Sequence, residues 1–377
     1  MSDASRRGFL ASALTSGIGL QMAAAPSSTN LEMPVRTLGK TGLKVTVLGF
    51  GCMTTSDPAV IEKAVDLGVT YFDTARVYQS GNNERMVGAA LKNARKNIVL
   101  STKTPAKTAA EAMATLETSL KELGTDYVDI WYLHSREKPE AIPDELFEAQ
   151  ETAQKQGKIR FRGVSFHGGH SVMIPWLIEK KRTDVILSSY NFMMDPITDG
   201  LIEKASQAGI GVVAMKVMAG GFRANKPGTS QYDRLKKDKA LPTAVKWAVR
   251  RPCISTCIPG TTDLDQLDEN FKAVTSGWSP DDSKILAAHM DRIRPLYCSM
   301  CGACEGQCAK GLPVSDIIRY VSYAEGYGEF ALGRQNWLEL AASHQAVRCG
   351  DCAECTVTCP KGVRVFDRVS RAQELFA

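Results

Sequence analysis

The stretch Tyr71-Phe-Asp-Thr-Ala-Arg-Val-Tyr-Gln-Ser-Gly-Asn-Asn-Glu-Arg-Met-Val-Gly-Ala-Ala-Leu91 opens as a short apolar strand, crosses a polar loop and continues as an amphipathic helix. Asp73 closes the strand and Tyr78 follows five residues later, where a βα enzyme keeps its chemistry. Working outward, the apolar run from Ile98 ends at Lys103, and the run from Tyr127 ends at His134. An aspartate, a tyrosine, a lysine and a histidine on successive strand ends converge only if the strands are parallel neighbours. The rest of the chain repeats the alternation: short apolar strands at 47–51, 71–73, 98–103, 127–134, 161–165, 185–189, 211–216 and 254–259, each followed by a segment periodic near 3.6. Eight such units predict an α/β fold, a (β/α)8 TIM barrel. Residues 35–38 and 43–47, joined through Gly39 and Gly42, read as a hairpin ahead of it. Thr108 and Asp144 suit helix N-caps, and the glycines after Leu67, Leu123 and Ala208 suit helix stops.

The run Asp73-Thr-Ala-x-x-Tyr78 with Glu84 and Gly88, then Lys103, then Leu133-His134, resembles the aldo-keto reductase family, and the likeness extends from about Met33 to Ala273. Asp73, Tyr78, Lys103 and His134 match that family's catalytic tetrad. The resemblance implies reduction of a carbonyl, or its reversal, with a nicotinamide cofactor. In that chemistry Tyr78 is general acid or base, Lys103 tunes it by lowering the phenol pKa, Asp73 holds Lys103 and His134 binds the carbonyl oxygen. In the family's hairpin position, residues 35–47 close the bottom of the barrel.

The cofactor residues match in part. Ser165 matches the family's carboxamide-binding serine, whereas its partner asparagine is Phe166 here, the glutamine of the sixth strand is Leu187 and the stacking tyrosine is Met215. Glu269 and Asn270 match the adenine side, and the basic residues expected on a 2′-phosphate are Gly260 and Gln266. Loss of those charge-assisted contacts leaves both NADP and NAD open. A pyrophosphate fits the backbone N–H groups of the Gly260 turn and the helix start behind it. The connection from Val217 to Ala240 is long enough for a flap whose Met218, Phe222 and Tyr232 reach substrate.

Eight of the eleven cysteines fall in two identical patterns, Cys298-x2-Cys301-x2-Cys304-x3-Cys308 and Cys349-x2-Cys352-x2-Cys355-x3-Cys359-Pro360. Thiolates at this spacing wrap an iron–sulfur cubane, and the pattern is similar to that of bacterial ferredoxins. A disulfide framework or zinc is the alternative, but neither needs this rhythm. The resemblance implies two [4Fe-4S] clusters in an α+β ferredoxin-like domain, each cluster borrowing the fourth cysteine of the other run. One would take Cys298, Cys301, Cys304 and Cys359, the other Cys349, Cys352, Cys355 and Cys308. The insert between the runs, with Tyr320, Tyr323, Tyr327 and Trp337, is longer than in a minimal ferredoxin.

A net charge of +5 over 377 residues, evenly spread, gives no footprint for nucleic acid. No apolar run approaches the roughly 20 residues of a membrane span. Ser5-Arg6-Arg7-Gly8-Phe9-Leu10, followed by a weakly apolar Ala/Ser/Gly-rich run to Ala25, has the layout of a twin-arginine export signal, hence a periplasmic destination. That route carries proteins already folded, which suits one whose cofactor is built in the cytoplasm.

The domain reading is therefore a signal over 1–30, the barrel over 31–280, a linker near 277–295, and an iron–sulfur domain over 291–377. The functional reading is an oxidoreductase interconverting a carbonyl and an alcohol on an aldehyde, ketone or sugar, linked to iron–sulfur clusters and a redox partner protein. The alternative is an electron-transfer module whose barrel only docks such a partner. A nicotinamide gives up two electrons together and each cluster takes one, while no flavin motif stands between them. Three resolutions stay open: the clusters accept the pair jointly, the barrel holds another group, or the clusters are structural.

Overall fold

The computed structural model describes residues 32–220 and 237–377; the export-signal stretch at 1–30, and Phe222 and Tyr232 of the expected flap, lie outside the described residues. Strands β1 (Val35–Thr37) and β2 (Lys44–Thr46) pair antiparallel as the expected hairpin. Eight parallel strands follow in chain order: β3 (Phe50–Gly51), β4 (Tyr71–Asp73), β5 (Val99–Thr104), β6 (Val128–Leu133), β7 (Ile159–Phe166), β8 (Val185–Ser189), β9 (Gly211–Met215) and β10 (Thr256–Cys257). Parallel bridges Leu48 to Cys257 and Gly51 to Gly260 bring the first of them against the last, so the sheet closes on itself.

Strand alternation decides what faces the axis. Tyr71, Val99, Ile130, Tyr132, Val185, Leu187 and Val213 form the inner core, and Leu38, Leu43 and Val45 of the hairpin plug its bottom. Gly39 is needed in that plug, because its φ is +54° and a β-carbon there would sit 2.3 Å from the amide nitrogen of Gly211. The intervening residues, among them Phe72, Leu100, Trp131, Val164, Ile186 and Val212, face outward and are buried under helices. Because Asp73 follows Tyr71 by two, Lys103 follows Val99 by four and His134 follows Tyr132 by two, all three continue the inward files to the barrel's carboxyl mouth. Gly88 has a packing role: a β-carbon there would lie 2.4 Å from the carbonyl oxygen of Leu123, so only glycine lets helices Asn82–Leu91 and Ala109–Leu123 approach.

Thr108 caps its helix through the N–H of Glu111, and Gly68, Gly124 and Gly209 take positive φ after their helices. Asp144 is not a cap. Pro143, with its ring-fixed φ, occupies that position, and Asp144 places its charge in the first turn of helix Asp144–Lys155, where the helix dipole favours it.

The stretch expected as a linker is a helix, Pro280–Ile293, started by a Ser279/Asp282 capping box. It is fastened to the barrel by Lys246 to Asp282 at 3.0 Å and by Leu286 and Ile293, which share a core with Phe192 and Ala244. Beyond it the regular elements are helical, with no strand among the described residues of the iron–sulfur domain. Helices Val314–Val321, Phe330–Leu338 and Val365–Phe376 enclose a core of Ile317, Ile318, Val321, Trp337, Val369 and Phe376, so the domain is helical here and not the expected α+β. No described helix is long and apolar enough to cross a membrane.

Candidate active site

Asp73 and Lys103 lie side by side on β4 and β5, both almost wholly buried. The Lys103 ammonium donates to Asp73 Oδ2 at 2.5 Å, to the Thr74 carbonyl at 2.7 Å and to the Tyr78 hydroxyl at 3.2 Å, which uses all three of its protons. Ser101 Oγ donates to the other Asp73 oxygen at 2.7 Å, and Tyr71 and Tyr132 continue this polar chain down the barrel axis. His134 meets the Tyr78 ring edge-on, centroids 5.9 Å apart. The four expected residues are thus brought together.

The loop that delivers Tyr78 is strained: Gln79 and Ser80 both have positive φ, at 49° and 53°. Gln79 Nε2 donates to the Thr55 carbonyl at 2.8 Å, and the Arg76–Glu84 ion pair at 2.5 Å, with Thr102 donating to Glu84 at 2.6 Å, pins the loop's flanks. Such strain persists only where the surroundings over-determine it. Glu84, part of the sequence motif, is this buried fastener.

The electrostatics differ from the expectation in one respect. Burial outweighs Lys103 at Tyr78, and its phenol is pushed up to about 12, not down. Burial also lifts the Asp73 carboxyl against the pull of Lys103. It opposes the charge on Lys103, but Asp73 and then Tyr78 hold that ammonium above its ordinary value. Burial, then Lys103, Arg136, Arg319 and Lys216, drives His134 well below the usual imidazole range, so the ring is neutral.

These groups open into a cavity of about 390 Å³. One side is the barrel mouth, with Met215, His167, Gly260 and Gln266. The other is supplied by the insert between the two cysteine runs, with Arg319, Tyr323, Tyr327 and Gln335. The iron–sulfur domain therefore roofs the barrel. Tyr297 accepts from Asn191 at 2.8 Å, Tyr327 from the Gly220 N–H at 3.2 Å, and Lys361 pairs with Asp195 at 2.7 Å. Gly168 packs so tightly on the first cysteine loop that a β-carbon would come within 2.9 Å of the Met300 carbonyl. Sequence reasoning assigns none of these roof residues to the site; the unusual length and tyrosine content of the insert are its only signal.

Of the expected cofactor residues, Gly260 lines the cavity and Ser165, Glu269 and Asn270 do not. The Ser165 hydroxyl is occupied below it, accepting from the Ser135 N–H at 3.1 Å. Asn270 is buried and donates to Thr261 at 3.1 Å. Phe166 and Leu187 are buried, and His167, on the cavity wall, is the polar group at that level. At the Gly260 end the buried Thr54 hydroxyl lines the cavity with no partner, and a β-carbon on Gly260 would crowd it at 3.2 Å. That cradle fits a dinucleotide's phosphates at the Gly260 turn, but not at the helix start behind it, which the Asp263 side chain caps.

All eight cysteines of the two runs are free thiols. Burial pushes the Cys298 thiol up to about 12, with Cys304, Cys301 and Cys359 acting in the same direction, and burial, then Cys359 and Cys301, raises Cys304. Burial, then Cys355, Cys308 and Cys352, raises Cys349. The fourth cysteine of each run thus stands with the other run's first three, a donor set that fits the crossed ligation of a two-cluster ferredoxin.

Comparison with known proteins agrees with this fold. Residues 48–291 match the aldo/keto reductase family, and residues 294–363 match a 4Fe-4S dicluster domain. The chain is 26% identical to an uncharacterized oxidoreductase of Bacillus subtilis over 68% of its own length and 96% of that protein's. It is also 26% identical to an L-galactose dehydrogenase of Arabidopsis thaliana, over 65% and 89%. The holo form of an aldo-keto reductase from Bacillus halodurans superposes with a TM-score of 0.58 at 26% identity, covering 68% of this chain and 96% of that one.

Proposed function

We propose, from the premise that the chain belongs to the aldo/keto reductase family, that it interconverts a carbonyl and an alcohol on a small molecule, using NAD held in the roofed cavity. The observation that carries this reading is the single ammonium of Lys103 bonded to both Asp73 and Tyr78 at the cavity floor, with neutral His134 beside them. A bound nicotinamide supplies the hydride. The Tyr78 hydroxyl gives its proton to the carbonyl oxygen in reduction and takes it back in oxidation, while Lys103 and His134 bear the charge that develops there. Asp73 keeps Lys103 charged and aimed, and the roof excludes water. Cys298, Cys301, Cys304 and Cys359, and Cys349, Cys352, Cys355 and Cys308, would hold two clusters, which would supply one-electron transfer with a redox partner protein.

The choice of NAD follows from charge. At the adenine end Gln266 takes the place of a cation, and its amide is committed to Thr262 at 2.8 Å and to Asp263 at 2.7 Å. Asp263 itself caps the helix Leu264–Thr275, so a carboxylate occupies the helix start that a 2′-phosphate would seek. NAD is expected to bind at least about tenfold more tightly than NADP, as roughly one lost charge-assisted bond implies. Titration of nucleotide-stripped protein checks this, and equal or reversed affinity refutes it.

The direct test of the whole reading is to denature anaerobically purified protein and identify the released nucleotide, with iron and sulfide counted. Retained NAD with about eight irons per chain supports it. Eight irons without nucleotide, in a protein that neither binds nor uses one, favours the electron-transfer module.

We further propose export by the twin-arginine route. Replacing Arg6 and Arg7 together by Lys should retain the protein in the cytoplasm, as read by cell fractionation; unchanged distribution refutes this.

A further inference from the structure

The cavity carries more positive charge than the carbonyl chemistry uses. Lys216, at the end of β9 with a left-handed φ of 56°, places its ammonium 4.8 Å from the Tyr323 ring centre and 4.6 Å from that of Tyr327. No carboxylate lies within ion-pair distance of it among the described residues. Arg319 reaches the same cavity from the roof. Its Nη2 donates to Asp316 at 2.8 Å, and its Nε is buried without a partner.

Of the acids that face this region, Asp316 takes one Arg319 Nη and Glu137 acts on Arg319 through space, but neither occupies the Arg319 Nε and neither pairs with Lys216. Asp73 is bonded to Lys103, and Glu137 accepts the N–H groups of His167 and Gly168 at 2.8 and 2.7 Å. Glu329 acts on Lys216 only weakly, after burial and two cations, and Glu339 is exposed at the rim. Burial, then Arg319 and Lys103, brings the Lys216 ammonium down to about 7, so an anion placed beside it would favour its charged form.

We propose that the cavity selects a substrate that carries a carboxylate in addition to its carbonyl or alcohol, and that Arg319 and Lys216 bind that carboxylate. The class is a small hydroxy acid or oxo acid. Its reacting carbon lies at Tyr78 and His134, and its carboxylate lies under the roof. Guanidinium and ammonium groups shielded from water bind carboxylates through charge-assisted hydrogen bonds. The two cations are at the tetrad end: Arg319 and Lys216 both act on His134 and His167, and Tyr323 acts on Tyr78. The dinucleotide cradle at Gly260 is formed by other residues. Because Arg319 comes from the iron–sulfur domain, that domain determines specificity as well as holding cysteines. The inference rests on the carbonyl/alcohol reading of the cavity, but its test reads binding alone.

The test uses 4-(hydroxymethyl)benzoate and its methyl ester, a pair of similar shape that differs in charge. Each is titrated by calorimetry into the cluster-loaded protein with reduced NAD present, so that the alcohol is not turned over. The acid should bind at least about tenfold more tightly than the ester, a difference of one charge-assisted contact. Arg319→Gln and Lys216→Met should each reduce acid affinity about tenfold and leave ester affinity unchanged. Iron content and melting temperature report whether each variant folds, and the acid–ester comparison on the unaltered protein stands without them. Equal binding of acid and ester overturns the proposal. So does an acid preference that survives in both variants, or one seen only when nucleotide is absent, since the cations would then serve the dinucleotide. Selective acid binding in a protein that oxidises no alcohol leaves this inference standing and removes the carbonyl reading beneath it.

Discussion

Tyr78→Phe is expected to lower turnover about a hundred- to ten-thousand-fold with little change in KM, the range for removing a positioned general acid. The protein should still fold and carry its iron, because Lys103 keeps Asp73 and the Thr74 carbonyl as partners when the phenol is lost. The pH profile adds a second test. With the phenol held up to about 12, Tyr78 remains protonated throughout the working range. Reduction, which needs the proton, should be flat from about pH 6 to about pH 10. Oxidation, which needs the phenolate, should rise about tenfold per unit across the same range, and both dependences should vanish in the residual rate of the Tyr78→Phe variant. A variant with unchanged turnover would leave the barrel as a docking surface for electron transfer. A reduction rate that falls between pH 7 and pH 9 would mean that Lys103 dominates burial at Tyr78 after all.

What is legible in the sequence follows from short-range rules. Period-two alternation in β4, β5 and β6 determines that Asp73, Lys103 and His134 share the inward file with Tyr71, Val99 and Tyr132, so convergence of the tetrad can be read without coordinates. The cysteine rhythm is equally local. The roof is not legible. Its contacts join Asn191 to Tyr297, Gly220 to Tyr327 and Asp195 to Lys361, pairs about a hundred or more residues apart, with no periodic signal to link them. The helix Pro280–Ile293 is hidden for a related reason, since Gly277 and Pro280 mark a break although Ser279 and Asp282 begin a capped helix directly after it. The ionisation of Tyr78 is half legible, because the Lys103 ammonium that pulls the phenol down can be read from the sequence and the depth of burial that pushes it up cannot.

The proposed crossed ligation of two clusters predicts an asymmetry between two double variants. Replacing Cys308 and Cys349 together by Ala should leave one four-cysteine site whole, whereas replacing Cys304 and Cys308 together should leave none. The reason is the proposed crossing, in which Cys308 completes the set of Cys349, Cys352 and Cys355 while Cys359 completes that of Cys298, Cys301 and Cys304. Gln307, next to Cys308, fixes this geometry by accepting from Thr356 Oγ1 at 2.7 Å and from the Thr358 N–H at 2.8 Å, which locks the end of the first run between the last two cysteines of the second. Iron and sulfide content, with electron paramagnetic resonance of the reduced proteins, would read about four irons in a single cubane for the first variant and loss of both cubanes for the second. Uncrossed ligation would exchange the two results, and each variant loses the same number of thiols, so a general loss of stability cannot mimic the pattern. The first variant should also keep the cavity roofed. The group that survives in it is the one beside the barrel, where Met300 packs on Gly168 and Lys361 pairs with Asp195, while the group that is lost lies toward helix Val365–Phe376, through the Cys349 N–H to Gln373 at 3.1 Å. Retention of substrate binding in that variant would separate the structural contribution of the two groups, and its loss would mean that the outer group, too, holds the roof in place.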